Sequence, residues 1–147
     1  MYGYDGGKRV KGRKRFILVD TLGLLLAVIV TEANLPERLG GAAVVMEAAQ
    51  ATENLVRIWV DQGFSGENFA GVIKQLCAAK VEVICRTEAG FQVLPKRWIV
   101  ERTLAWWNQY RRLSKDYELL PEMSESMIYT VMIRLMLKRL AKFQASG

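Results

Sequence analysis

Histidine does not occur in this chain of 147 residues, and only two cysteines do, Cys77 and Cys85. Without histidine or a paired Cys-x-x-Cys, classical zinc sites and histidine-activated nucleophiles are excluded. Two isolated thiols are most simply interpreted as unpaired residues in a reducing cytoplasm. The longest apolar run, residues 24–30, is too short to span a bilayer, and the N-terminus does not resemble a signal peptide. We therefore expect a cytoplasmic protein without histidine chemistry.

Acidic residues are missing between positions 6 and 19, where positive charge is concentrated. The net charge is +6, and outside this basic block the charges balance. A local excess of this kind predicts a polyanionic partner, most often nucleic acid, and the alternative is a flexible solvated tail. Residues 1–7 are glycine-rich and predict a loop. The basic block consists of Lys8, Arg9, Lys11, Arg13, Lys14 and Arg15.

Hydrophobic residues make up 51% of the chain, which predicts one folded domain over residues 1–147 with a substantial core. The alternation of apolar runs and turn residues predicts an α/β fold with a mixed sheet. One predicted helix begins at Pro36 and runs to about Thr52, with its apolar face at Leu39, Ala42, Ala43, Met46 and Ala49. The other predictions are strands at 16–19, 24–30, 55–60, 81–85 and 91–94 and a turn at 20–23. Three more helices are predicted: one capped by Ser65, one following Pro95, and a last one starting at Ser124 after the break at Pro121.

The stretch 96–112 has no glycine or proline and follows Pro95, which favours an amphipathic helix. At 100° per residue, Glu101 shares one face with Arg97 and Arg112, whereas Ile99 and Trp106 lie on the far side. Two interpretations remain open. Glu101 can form an ordinary helical ion pair with Arg97, or it can be a metal-binding carboxylate beside a phosphate-binding face.

Asp61 lies at the carboxyl end of a predicted strand, directly before the glycine-containing segment 62–66. In open α/β sheets ligands bind at this rim, although an aspartate there can also simply close a turn.

Four segments together resemble bacterial insertion-sequence DDE transposases of the insertion-sequence-five group, which have a ribonuclease-H-like catalytic core. Residues 14–30 resemble their β-hairpin, and Asp61-Gln62-Gly63-Phe64-Ser65-Gly66 is similar to their D-x-G-Y-x-G segment. Residues 98–102 resemble their W-x-x-E-R helix, and residues 111–118 resemble the segment that follows it.

The resemblance implies that Asp61 and Glu101 are the second and third catalytic carboxylates and ligands of Mg²⁺ or Mn²⁺. It implies metal-dependent cleavage and strand transfer of DNA. The implied partners are element-end DNA, target DNA, and either further copies of the chain or an upstream transposase half. The basic block together with Arg97, Arg102 and Arg112 would then contact DNA phosphates. The expected location is the bacterial cytoplasm, at the nucleoid.

The chain departs from the family pattern at the first catalytic aspartate, which members place on a central strand upstream of a segment like residues 3–7. Asp5 and Asp20 do not match that position. We therefore expect an incomplete metal site and a sheet lacking its first strand, so that the isolated chain is marginally stable, oligomerises, or borrows a strand from residues 1–10. Three interpretations follow: an inactive transposase fragment, the downstream half of a frameshifted transposase, or a non-catalytic DNA-binding regulator of transposition.

Overall fold

A computed structural model of the protein describes residues 2–84 and 96–145, without the side chain of Arg97. The predicted strand at 91–94 and Cys85 lie outside the described residues. The described strands are β1 (Gly3–Asp5), β2 (Val10–Val19), β3 (Leu25–Glu32), β4 (Arg57–Val60) and β5 (Lys80–Val83). The helices are α1 (Glu37–Ala51), α2 (Glu67–Cys77), α3 (Arg97–Asn108) and α4 (Pro121–Ala145).

The hairpin of β2 and β3 confirms the predicted turn at residues 20–23. The Asp20 carboxylate accepts hydrogen bonds from the backbone N–H groups of Leu22 and Leu24, both at 2.8 Å. Gly23 has φ +79°, a conformation that a side chain would strain. The run 24–30 is buried on both faces along most of β3, as its unbroken apolar composition predicts.

The N-terminal segment differs from the prediction. Residues 1–7 were expected to form a loop, but Gly3–Asp5 is a strand that pairs antiparallel with residues 10–12 of β2. The basic block is not a tail either, because residues 10–15 form the first half of β2. Successive residues of a strand point to opposite faces. Some basic side chains of β2 therefore face partners within the protein, and others face solvent.

The described strands form two separate sheets, as expected of a mixed sheet that lacks its first, central strand. One is antiparallel with the order β1-β2-β3, and the other is the parallel pair β4-β5. Among the described residues, positions 13–19 of β2 pair only with β3, and β4 pairs only with β5. The α/β class is confirmed, and both residues 13–19 of β2 and strand β4 keep an edge without a described strand partner.

Helix α1 has the predicted bounds but buries a different face. Gly40, Gly41, Val44, Val45 and Ala48 are buried, whereas the predicted core residues Leu39 and Met46 are 60% and 48% exposed. The helix is made almost entirely of small and apolar residues, so its sequence contains no polar face that would set its orientation. The two glycines decide it, because they let Phe16 and Phe64 approach the helix backbone.

Two helix starts also differ from the prediction. Ser65 was expected to cap the second helix, but α2 begins at Glu67 after Gly66, which has φ +126° and provides no side-chain cap. Ser65 instead ends a short 3-10 turn at Gln62–Phe64. Helix α4 starts at Pro121 rather than Ser124, and packs Ile128, Val131 and Met132 against a core that includes β3. No helix in the described part of the chain is both long and apolar enough to cross a membrane.

Candidate active-site cleft

A cleft of about 750 Å³ separates the two sheets. One wall is formed by residues 13–18 of β2 and the other by Ile58, Trp59 and Val60 of β4. Along these walls, both β2 and β4 have an edge without a described strand partner. Asp61 and Glu101 both line this cleft, although they are far apart in the sequence. The two carboxylates predicted from separate motifs thus face one space.

Asp61 is placed by the end of β4 and by the turn that follows it. Its backbone is extended, with φ −80° and ψ 178°, and its Oδ1 accepts a hydrogen bond of 3.0 Å from the Gly63 N–H. The Asp61 carbonyl oxygen also accepts a hydrogen bond from the Phe64 N–H. The side chain is exposed. Asp61 can therefore close the turn and still be a candidate ligand-binding residue at the rim of the sheet.

Glu101 is exposed on α3, and the neighbouring residues anchor this helix to the β2–β3 turn. Thr103 is fully buried, and its Oγ1 donates a 2.8 Å hydrogen bond to the Gly23 carbonyl. Arg102 donates a 2.7 Å hydrogen bond to the Leu22 carbonyl. The side chain of Glu101 therefore projects from a helix whose position along the hairpin is set by two neighbouring contacts.

Arg102 was predicted to contact DNA, and the structure holds it in a stack of aromatic rings. Its guanidinium carbon lies 4.3 Å from the ring centroid of Trp98 and 5.1 Å from that of Trp106. Arg139 of α4 covers the same Trp106 ring at 4.4 Å. The Nε atom of Arg102 is buried, and no described residue accepts a hydrogen bond from it. These contacts make Arg102 a link between α3 and the hairpin turn.

The basic block separates into an inner and an outer group. In the inner group the side chain of Arg13 is only 1% exposed and pairs with Asp116 at 3.1 Å. Lys14 pairs with Glu37 at 3.1 Å and with Asp5 at 3.5 Å, and Arg15 donates to the Leu113 carbonyl. The outer group, Lys8, Arg9 and Lys11, is exposed.

Two other arginines, Arg97 and Arg112, were also predicted to bind DNA. The Arg112 guanidinium pairs with Glu118 at 2.7 Å and stays 63% exposed. Arg97 is the first residue of α3, and its side chain lies outside the described atoms.

The cleft also contains charged residues that the motifs did not single out. Lys96 lies at the start of α3, with its ammonium 3.2 Å from the ring centroid of Trp59, and Lys115 lines the same cleft. Asp5 lines it too, and its pKa is lowered because the Lys8 backbone N–H donates to its carboxylate; burial opposes this shift, and the Gly7 N–H and the Lys14 charge strengthen it. For Lys96 and Lys115, only an excess of lysine around the motifs could have indicated a role in the sequence.

The oxygen donors of Asp61 and Glu101 suit Mg²⁺ or Mn²⁺, which prefer carboxylate ligands. A site for two such ions needs more ligands than two carboxylates. Within residues 2–84 and 96–145, no group of three or more acidic, cysteine or histidine side chains is placed to hold a metal ion. The described residues therefore do not form a complete site for two such ions.

Comparison with known proteins agrees with this geometry. A family model described as the transposase DDE domain matches residues 58–138, more than half of the chain. The chain belongs to the transposase DDE domain family. The matched range includes both Asp61 and Glu101, so the two cleft carboxylates lie within the part of the chain that defines the family.

The chain is also similar to a Burkholderia cepacia protein named as a proposed transposase for insertion sequence element IS402. The two are 29% identical over 115 residues, which cover 73% of this chain and 54% of the relative. This chain thus spans about half the length of the curated relative. No solved structure matches this chain.

Proposed function

We propose that the cleft between β2 and β4 is the catalytic cleft of a DNA transposase and that residues 1–147 form part of one catalytic domain. In this proposal Asp61 and Glu101 are two of the carboxylates that hold Mg²⁺ or Mn²⁺ for cleavage and strand transfer of DNA at insertion-element ends. The observation that supports it best is that both carboxylates line one cleft, from different elements.

The third carboxylate of the proposed site is supplied by a segment outside these 147 residues. It enters as a strand between β2 and β4, whose edges facing the cleft have no described strand partner. Such a strand would join the two sheets into the single mixed sheet of a ribonuclease-H-like core. A pair of divalent ions in the completed site would activate the attacking hydroxyl and stabilise the leaving oxygen.

The DNA-binding part of the proposal rests on the exposed cations. Lys8, Arg9 and Lys11 are exposed on the β1–β2 hairpin, and Lys8, Lys96 and Lys115 line the cleft. A surface of this kind attracts the phosphate backbone with little dependence on sequence, so its affinity for DNA falls steeply with salt. Neutralising Lys8, Arg9 and Lys11 together should reduce the slope of log Kd against log salt by about three.

The test of catalysis compares this chain with a version extended by the residues encoded directly upstream of Met1. Both proteins are incubated with DNA carrying the element ends and with Mg²⁺ or Mn²⁺, and the cleavage products are quantified on gels. We expect cleavage by the extended protein, with a loss of at least about a hundredfold in Asp61→Asn and Glu101→Gln. Glu53→Gln is the matched control, because Glu53 is exposed and is not among the residues lining the cleft. Cleavage that survives Glu101→Gln would contradict the proposal.

A non-catalytic regulator of transposition is the alternative, and the absence of a three-carboxylate cluster among the described residues favours it. The same assay separates the two functions. A regulator would bind element-end DNA both as this chain and as the extended protein, and neither protein would cleave it. Its binding would be retained in Asp61→Asn and Glu101→Gln.

A further inference from the structure

One face of the β1–β2 hairpin extends beyond the helices that cover the same face of the sheet further along. Ile17 of β2 packs against the core cluster to which α3 and α4 contribute. Lys11 lies on the same face as Ile17, because alternate residues of a strand share a face. Tyr4 joins this face, since it pairs directly with Lys11 across the hairpin. Tyr4 and Lys11 are both exposed, so the covered face around Ile17 continues into an open surface on the hairpin.

Two tyrosine rings stand on this open surface. Tyr2 and Tyr4 are 48% and 58% exposed, and they lie two positions apart, which brings both onto one face. The guanidinium carbon of Arg13 lies 4.5 Å from the ring centroid of Tyr2 and holds that ring against the hairpin. We term Tyr2, Tyr4 and Lys11 the tyrosine platform.

The charge beside the tyrosine platform is positive. Asp5 is the single acidic residue of positions 1–19, and it lies on the opposite face, where its carboxylate pairs with Lys14 at 3.5 Å. Arg9 and Lys11 are exposed on the same hairpin as the two rings. Flat aromatic rings next to cations are the combination with which proteins bind single-stranded nucleic acid, because bases stack on the rings while the cations attract phosphates.

The spacing of the two rings favours a single strand over a duplex. Residues two apart in a β-strand are separated by about 6.8 Å, which is twice the distance of about 3.4 Å between successive bases in one strand of a double helix. Bases that stack on both rings must therefore be spread apart. In a duplex the faces of the bases are covered by their neighbours, so the rings would gain no stacking from it.

The tyrosine platform lies beside the proposed catalytic cleft. The face of the hairpin opposite the platform lines that cleft, and only the thickness of one β-ribbon separates the two faces. A DNA strand that leaves the cleft around the hairpin therefore meets the tyrosine rings next. The residues of the hairpin face that lines the cleft are Asp5, Val10, Gly12 and Lys14.

We propose that the tyrosine platform binds a single-stranded stretch of DNA next to the position of cleavage, with one base stacked on Tyr2 and one on Tyr4. The phosphates of this stretch then lie near Lys11 and Arg9. The inference rests on the proposed function for the source of the strand, since a cut end is where one strand separates from its complement. Binding itself requires neither a metal ion nor the carboxylates of the cleft.

Binding of fluorescent oligonucleotides to the full chain tests the platform, with oligothymidine of about twelve nucleotides as the single strand and a duplex of the same length for comparison. Tyr2→Leu and Tyr4→Leu should each weaken binding of the single strand about tenfold, because they remove a stacking ring and keep the charge. Duplex binding should change less than about twofold, and the slope of log Kd against log salt should stay the same. Tyr4→Phe should bind like the parent protein, since it keeps the ring. Phe143→Leu is the matched control, because Phe143 is 83% exposed but lies on α4.

Single-strand affinity that is unchanged in both leucine variants, or a loss that is equal for the duplex, would overturn the proposal. A loss in Tyr4→Phe as large as that in Tyr4→Leu would do the same, because it would assign the effect to the fold or the hydroxyl. Tighter binding of oligouridine RNA than of oligothymidine DNA would also contradict the assignment to DNA.

Photo-crosslinking tests the stacking contact in the unaltered chain, where no substitution can disturb the fold. Oligothymidine carrying one 5-iodouracil is irradiated with the protein, and the cross-linked peptides are identified by mass spectrometry. We expect cross-links at Tyr2 or Tyr4, and cross-links confined to other aromatic residues would refute the platform. Neither experiment uses a metal ion, Asp61 or Glu101. Failure of the platform therefore leaves the cleavage assay unaffected, and failure of the cleavage assay leaves these binding results unchanged.

Discussion

Arg13 shows at the scale of one residue how a charge in a basic block can serve the fold. Its guanidinium is buried, pairs with Asp116, and donates to the carbonyl oxygens of Glu118 and Leu119. Asp116 in turn accepts a hydrogen bond from the Ser124 hydroxyl at the start of α4. The positive charge of Arg13 therefore ties the N-terminal hairpin to the segment between α3 and α4.

We predict that Arg13→Gln lowers the free energy of unfolding by about 3 kcal/mol, because it leaves Asp116 and two carbonyl groups without their charged partner. Lys11→Gln, on the same strand but exposed, should change it by less than about 0.5 kcal/mol. Urea unfolding followed by tryptophan fluorescence measures both. Equal stability of the two variants would show that the buried ion pair contributes little.

At the scale of the element, α1 depends on close approach of side chains to its backbone. A Cβ atom at Gly40 would lie 2.2 Å from ring carbons of Phe16, and one at Gly41 would lie 2.5 Å from the Phe64 ring. Gly71 of α2 is the opposite case, because a Cβ atom there would meet nothing within 4 Å. The helical glycines of α1 and α2 therefore have different reasons to be there.

Gly40→Ala should lower the free energy of unfolding by about 1–3 kcal/mol, since the methyl group displaces Phe16 from the core even though alanine favours helix. Gly71→Ala should raise it by about 0.5–1 kcal/mol through helix propensity alone. Thermal melts by circular dichroism compare the two variants with the parent protein. A stabilised Gly40→Ala would mean that Phe16 moves without cost.

At the scale of the whole molecule, the two sheets have separate ladders and share a cleft. Strand β1 pairs with residues 10–12 of β2, so the described N-terminal segment does not cover positions 13–19. Unpaired strand edges cost free energy unless water or another strand satisfies them. The stability of this arrangement should therefore depend on what enters the cleft.

We predict that the chain extended upstream of Met1 unfolds at higher urea than this chain, and with one transition. In hydrogen exchange followed by mass spectrometry, peptides covering residues 13–19 and 57–60 should be more protected in the extended chain, because a strand there would pair with both edges. Peptides from α4 serve as the internal control. Unchanged protection of β2 and β4 would show that the extension does not join the sheets.

The amino-acid sequence alone was enough to predict the order of the elements from β2 onward, the turn at residues 20–23 and the motifs around Asp61 and Glu101. Each of these depends on local chemistry, such as the Asp20 carboxylate that binds the turn amides or the left-handed conformation of Gly23. The bounds of α1 followed for the same reason, since Pro36 acts on its own neighbourhood.

Tertiary packing was needed to establish which surfaces face the core and which charges remain exposed. Helix α1 has no continuous polar face, so its buried face depended on Phe16 and Phe64, which belong to other elements. Arg13 pairs with Asp116, which is distant in the sequence, and no spacing rule links the two residues. Helix α4 has both buried and exposed apolar residues at helical spacing, such as Ile128 and Leu137, and only packing separates them. Burial is a property of the whole assembly of elements, whereas propensity belongs to the segment.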